Sequence, residues 1–169
     1  KGNVSEKRAL FSPQIFEKDE RDFIANMSKD NSIFIDIGSN IGLYSFSVGN
    51  IYKTFKNTKI FSIEPNPFLF ERLKYNVSQN IDVPIFPREI AIMDKSGKFK
   101  LDTPNENLGQ GKISETGKHS VIAKSLIDFI NDEKIENISA IKIDVEGNEE
   151  NVIIPFIDKV EKKLLPSII

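Results

Sequence analysis

Short, unbroken apolar runs alternate with amphipathic stretches along this chain. The run "SIFIDI" (32–37) is apolar at consecutive positions, the pattern of a strand covered on both faces. "KIFSIEP" predicts a second strand, stopped by Pro65 and Pro67, and "VPIFPREIAIM" a third, interrupted at Pro87. "ISAIKIDV" predicts a fourth, and "LPSII" the beginning of a fifth. Helical patterns fall between them. "EKDERDFIANM" is a lead-in helix with Phe23, Ile24 and Met27 on one side. "GLYSFSVGNIYKTF" offers Leu43, Phe46 and Phe55 to the core, and "FLFERLKYNVSQN" offers Phe70, Leu73 and Val77 at i, i+3, i+7. "KSLIDFINDE" is a short helix capped by Ser125, and in "EENVIIPFIDKV" Val152, Phe156 and Val160 recur every fourth position. The polar stretch "DTPNENLGQGKISETGKHS" predicts a loop or an irregular hairpin. Strand–helix alternation with short apolar strands predicts an α/β fold with a mostly parallel, doubly wound sheet, cut off in its fifth strand.

The length of 169 residues suits one domain, with a helical lead-in over 1–30 and the core over 31–169. A net charge of −2 gives no electrostatic reason to favour nucleic acid or an anionic membrane. The absence of cysteine excludes disulfides and thiolate metal sites and fits a reducing, cytoplasmic compartment. No apolar run approaches the ~18 residues a membrane helix needs. The sequence starts at Lys1 and stops inside "LLPSII", which reads as a piece of a longer chain whose later strands are missing.

Ligands of doubly wound sheets bind at the carboxyl ends of the strands. Acids stand at three of those ends: Asp36, Glu64 and Asp144. The first follows "IFI" and precedes "GSNIG", a glycine turn that competing ligands fit poorly. A dinucleotide fingerprint needs glycine where Asn40 and Leu43 stand, and no Gly-Lys-Ser/Thr follows for a phosphate-cradling loop. Asp36 would also repel a phosphate. A ligand without phosphates that carries an amino group suits the turn better, and S-adenosylmethionine is such a ligand. Glu64 is placed to accept ribose hydroxyls, a feature shared with NAD-binding folds.

In "IKIDVEGNEE" Lys142 and Asp144 alternate with Ile141, Ile143 and Val145, so they share one face of a strand. A lysine there must find an anion or lose its charge, and Asp144 and Glu149 are the candidates. Glu146, Glu149 and Glu150 cluster where a helix starts, a place acids favour. Glu150 is assigned to that role alone, whereas Asp144 and Glu146 are assigned to chemistry.

"FIDIGSNIGLYS", "SIEPNPFLFERLKYNVSQN" and "IKIDVEGNEE", in this order and spacing, resemble the FkbM family of S-adenosylmethionine-dependent methyltransferases, from about Ile33 to Ile169. The resemblance implies a Rossmann-like class I methyltransferase fold and methylation of hydroxyl groups on sugars or polyketides. It implies that Asp36, Gly38, Ser39, Asn40 and Gly42 hold the methionine end, although Ser39 stands where alanine is common. Glu64, with Pro65 beside it, would hold the ribose, and Ala91 and Ile92 would lie against the adenine.

An alcohol is a poor nucleophile at neutral pH and needs a general base or a metal. Asp144 and Glu146 are the candidates, either as a base or as a clamp for a divalent cation. His119, the single histidine, reads as a surface residue of the polar loop, and residues 103–120 are expected to border the acceptor pocket. The expected partner is a small hydroxyl-bearing molecule, with neither nucleic acid nor membrane. The main rival is a non-catalytic S-adenosylmethionine-binding module. An NAD oxidoreductase is disfavoured by the missing glycines. A nucleic-acid amino-methyltransferase would show Asn/Asp-Pro-Pro-aromatic where "DVEG" stands.

Overall fold

The computed structural model describes residues 17–102, 111–114, 117–145, 147–160 and 165–169. Helix α1 (Lys18–Met27) leads into β1 (Ile33–Ile37), α2 (Leu43–Tyr52), β2 (Lys59–Ile63), α3 (Pro67–Ser78) and β3 (Ile85–Arg88). Four short strands follow: β4 (Ala91–Met93), β5 (Gly97–Asp102), β6 (Lys112–Ser114) and β7 (His119–Ser125). The chain continues through α4 (Leu126–Asp132), β8 (Ile138–Ile143), α5 (Glu149–Ile157) and β9 (Ser167–Ile168). Five strands form an all-parallel sheet in the order β3-β2-β1-β8-β9. The order runs outward from β1 to β3, then resumes on the other side of β1 with β8. The topological switch point therefore lies between β1 and β8, at the carboxyl ends that carry Asp36 and Asp144. Among the described residues no helix is long and apolar enough to cross a membrane.

The predicted third strand is two strands. Pro87 sits within β3, which among the described residues pairs only with β2 and so tolerates the missing N–H. Ala91–Met93 then leaves for a second, four-stranded sheet of order β4-β7-β5-β6. The polar stretch expected as a loop or hairpin holds the end of β5, β6 and the start of β7, and β5 and β6 do pair antiparallel. Residues 103–110, 115 and 116 of that stretch lie outside the described residues, and with them most of the expected pocket border.

Alternation along the central strands sorts their side chains between two apolar clusters. Ile35, Ile37, Phe61, Ile63, Ile141 and Ile143 face Leu126 and Phe129 of α4 and Val152 and Phe156 of α5. Phe34, Ile60 and Ala140 face the other way, against Ile24 of α1 and Tyr44, Val48 and Tyr52 of α2. Helix α2 thus buries a stripe at i, i+4, i+8. The residues expected there behave differently: Leu43 and Phe46 are half-buried, and Phe55 lies past the helix end. The tyrosine rings displace them because each ring buries large apolar area while only its tip is polar. Other expectations hold. Phe70, Leu73, Val152 and Phe156 are buried, and the Ser125 hydroxyl accepts the Asp128 N–H at 3.1 Å as a cap of α4.

The second face carries a polar row. Asp36 is directly opposite Ser62 on β2 and Lys142 on β8, so three polar side chains line up across adjacent strands beneath α2. Just above the row the chain turns at Gly38, with φ at +79°. A Cβ there would stand 1.9 Å from the Asp144 carbonyl oxygen, so only glycine fits between β1 and β8. The N–H groups of Gly38 and Ser39 both donate to Ile63 O at 3.0 Å, and Asp144 N–H donates to Ile37 O at 3.0 Å. These bonds tie the turn to the strands on either side.

Two stability outcomes follow from this packing. Phe34→Ala removes a fully buried ring that lies 6.0 Å from Tyr44 and 6.5 Å from Tyr52 between centroids. Denaturant titration should show a loss of about 3–5 kcal/mol, whereas Ile81→Ala, at a 90% exposed position, should stay within about 0.5 kcal/mol of the parent. Gly38→Ala should lower the melting temperature by more than Gly147→Ala. Both glycines have positive φ, but a Cβ at Gly147 meets nothing within 4 Å. Equal losses would show that backbone conformation alone, and not the contact with Asp144, sets the cost at Gly38.

Candidate active site

The turn after β1 is built from its own side chains and from the end of β2. Asn40 adopts φ 55°, a left-handed conformation that asparagine tolerates, and its Oδ1 accepts the Ile41 N–H at 2.9 Å. Gly42 closes the turn with φ 91°, donates to Ser39 O at 2.8 Å, and starts α2. Because residue 42 is glycine, α2 has no side-chain cap, and within its first turn the Ser45 N–H leans on the buried Asp36 carboxylate. Asn76 of α3 donates to Ile41 O at 2.9 Å and braces the turn from outside.

Glu64 crosses from the end of β2 to this turn. Its Oε2 accepts the Asn40 N–H at 2.8 Å and its Oε1 the Asn66 N–H at 2.9 Å. Asn66 in turn caps α3, accepting from Phe68 N–H at 3.0 Å, with Pro67 at the first helical position. Burial pushes the Glu64 carboxyl up to about 7, against the opposing pull of the Asn66 and Asn40 N–H groups. Each oxygen holds one backbone donor, so lone pairs remain for further donors.

Asp36 lies beneath the turn, fully buried. Its Oδ2 accepts from Ser45 Oγ at 2.6 Å, and Ser45 Oγ is 2.6 Å from Ser62 Oγ. Ser45 has one proton and gives it to the carboxylate, so Ser62 is the donor to Ser45. Oδ1 has no hydrogen bond among the described residues and faces Lys142 Nζ at 3.8 Å. Burial raises the Asp36 carboxyl, and Lys142 and then Ser45 oppose the rise. Lys142, expected to pair with Asp144 or Glu149, sits between Asp36 and Asp144, with its Nζ 3.5 Å from Asp144 Oδ2 and 5.2 Å from the centre of the Tyr44 ring. Burial lowers its ammonium, but the surrounding carboxylates, Asp36 first, more than compensate. Glu149 has another task. Its Oε1 accepts the N–H groups of Val145 and Gly147 at 3.2 and 3.1 Å, closing the approach to α5.

Gly38, Ser39, Asn40, Gly42 and Glu64 therefore meet in one structure, with Asp36 below it. Ser39 is buried, and its hydroxyl has no partner among the described residues. Pro65 is half-buried beside Glu64. Ala91 and Ile92 take no part in this network. They are buried in β4, Ile92 within the cluster that holds Phe61, Ile63, Leu126 and Phe129. β8 ends at Ile143, so strand alternation does not carry on to relate Asp144 to Glu146, and Glu146 lies outside the described residues. Among the described residues no three His, Cys, Asp or Glu side chains converge as a metal site. His119 begins β7 half-buried, its ring edge-on to Phe68 with centroids 5.2 Å apart. Sequence reasoning missed Ser45, Ser62, Tyr44 and Glu17. Burial raises the Glu17 carboxyl while Lys142 pulls it down, which places α1's leading residue in the field of the same cluster. Ser62 alone had a signal, a serine in register with Asp36 inside an apolar strand.

Comparison with known proteins agrees with this architecture. Residues 36–169 match the methyltransferase FkbM domain. The chain is 27% identical over 138 residues to a hexuronic acid methyltransferase, AglP, of Haloferax volcanii, covering 81% of this chain and 55% of that protein. It thus spans about half the length of that curated relative. Among solved structures, a methyltransferase FkbM from Methylobacillus flagellatus KT superposes with a TM-score of 0.54 at 16% identity, over 76% of this chain and 29% of that one. A precorrin-6y C5,15-methyltransferase from Geobacter metallireducens GS-15 gives 0.50 at 13% identity, over 89% and 61%. At these identities the structures speak for the fold, a Rossmann-like one, and the domain match for the family: this chain belongs to the FkbM methyltransferases.

Proposed function

We propose that this chain binds S-adenosylmethionine and carries the catalytic residues of an O-methyltransferase acting on a sugar-like acceptor. The observation that supports the reading most is the turn of residues 38–42, held by Glu64 above a buried acid, in a member of this family. The donor set fits the methyl donor. The uncapped start of α2 offers N–H groups to a carboxylate, the unpartnered Ser39 hydroxyl lies in the same turn, and Glu64 retains lone pairs for a ribose diol. Asp36, whose oxygens face Ser45 and Lys142, acts from below the turn. Pro65, Ala91 and Ile92 remain candidates for the adenosine side. When bound, the sulfonium supplies an electrophilic methyl group. The chain's own task is to align the acceptor, exclude water and take a proton.

Asp144, just past the end of β8 with a side chain 61% exposed, is the proposed proton acceptor for a sugar hydroxyl, and Glu146 is kept as a second candidate. The relative named for a hexuronic acid favours a sugar, and such a sugar also offers a carboxylate that needs no base. Labelled methyl transfer to uronic acids and neutral sugars separates these routes, because an ester product is cleaved by mild alkali and an ether is not. On the hydroxyl route Asp144→Asn should cut turnover by about 10²-fold or more while the donor dissociation constant changes little. Undiminished turnover with an alkali-stable product would remove Asp144 from the chemistry. Loss of turnover on adding a chelator, restored by magnesium, would assign Asp144 and Glu146 to a cation clamp instead of a base.

Glu64 makes the binding pH-dependent, and the sign follows from its raised carboxyl. A ribose diol donates to the ionised form, so below about 7 the donor must expel a proton to bind. Calorimetry should show affinity falling by about tenfold per pH unit below that point and levelling off above it. Glu64→Gln should bind more weakly and lose the dependence. A flat profile in the parent would mean that Glu64 does not meet the ligand.

A further inference from the structure

One ammonium stands between two carboxylates of unequal exposure. Lys142 Nζ is 3.8 Å from Oδ1 of the fully buried Asp36 and 3.5 Å from Oδ2 of Asp144, which is 61% exposed. The lysine side chain is 12% exposed and lies over the Tyr44 ring. For the fold, Asp36 is the main answer to the buried cation, since it is directly opposite in register and fully buried, with Asp144 and then Glu17 adding to the field. An ion pair with a mostly exposed carboxylate adds little to stability. Its consequence is geometric. Asp144 is already fixed at its main chain, through its N–H to Ile37 O and its carbonyl against Gly38. What remains is rotation about its side-chain bonds, and the ammonium is the charged group placed to bear on it.

We propose that Lys142 is a positioning residue, which holds the Asp144 carboxylate in place over the strand ends while Asp36 keeps the lysine charge matched. The inference rests on the reading of Asp144 as the proton acceptor and explains why two carboxylates flank one ammonium. Asp144 takes the hydroxyl proton and becomes neutral. The electron pair released on the acceptor oxygen forms the new bond to the methyl carbon, and the pair of the broken carbon–sulfur bond stays with the donor's sulfur. A lysine paired with Asp144 alone would then be a buried cation without a partner, a costly state. With Asp36 on its other side Lys142 remains compensated before and after the transfer. Neither distance is that of a tight hydrogen bond, which suits an ammonium shared between two acids.

Lys142→Met leaves Asp36 buried without its cation and should lower the melting temperature sharply. The decisive variant is therefore Asp36→Asn/Lys142→Met, which removes both buried charges together. It should recover most of the lost stability. In the full chain, three-bond NMR couplings about the Asp144 Cα–Cβ bond should change from those of a single rotamer to a rotamer average. At saturating methyl donor, turnover should fall at least tenfold. A double variant whose Asp144 keeps the parent rotamer overturns the proposal, whether or not an acceptor is in hand. So does a double variant with parent turnover when Asp144→Asn is inactive. If Asp144→Asn itself turns over normally, the assignment of the base fails, and the couplings alone still decide whether Lys142 holds this side chain.

Discussion

A lysine charge buried within a parallel sheet is the constraint on which the rest of this structure depends. Lys142 occupies a position where every neighbour along the same face of β8 is apolar or small, so its ammonium needs an anion inside the protein. The pairing of β1 with β8 supplies one by setting Asp36 directly opposite. A slip of one residue would turn Lys142 toward the isoleucines of the other face and leave Asp36 alone, so the pair also fixes the register. Ser62 on β2 and Ser45 on α2 complete the surroundings of Asp36, and through them the same charge helps decide how α2 lies on the sheet.

Above this row the glycine turn translates strand register into the proposed binding surface. Gly38 admits the Asp144 carbonyl, Gly42 leaves α2 uncapped, and Glu64 joins the turn to the start of α3 through two backbone N–H groups. A buried carboxylate with only two donors is under-solvated, which is why its proton is held up to about neutral pH. An environment of this kind suits a ligand that brings hydroxyl donors. The switch point between β1 and β8 puts Asp144 beside that turn, so the proposed cofactor turn and the proposed base are connected through one strand pair.

The central sheet was legible in the sequence because its strands are short, continuously apolar and separated by helices, which leaves few topologies open. The glycine turn and Glu64 were legible because their residue types are unusual at a strand end. The second sheet was not. "GKFKL" alternates polar and apolar positions as a half-exposed strand does, with Leu101 buried and Lys98 and Lys100 exposed, but it is short and adjoins a polar stretch that masks the pattern. Of the partners expected for Lys142, Asp144 does pair with it and Glu149 does not, while Asp36 was missed for a different reason. Glu149 is close along the chain, whereas Asp36 is 106 positions away and becomes its neighbour only through the β1–β8 register. Glu17 precedes α1 and Ser45 lies on α2, and the rotation of these helices about their axes is set by packing, which periodicity alone left open for α2.

The central claim is that register and buried charge build a turn for a methyl donor and not for a dinucleotide. Titration calorimetry on the full-length protein with S-adenosylmethionine, S-adenosylhomocysteine and NAD tests it most directly. The account predicts that the first two bind with dissociation constants on the order of micromolar and that NAD gives no heat of binding at millimolar concentration. Binding of NAD with no response to S-adenosylmethionine would contradict it.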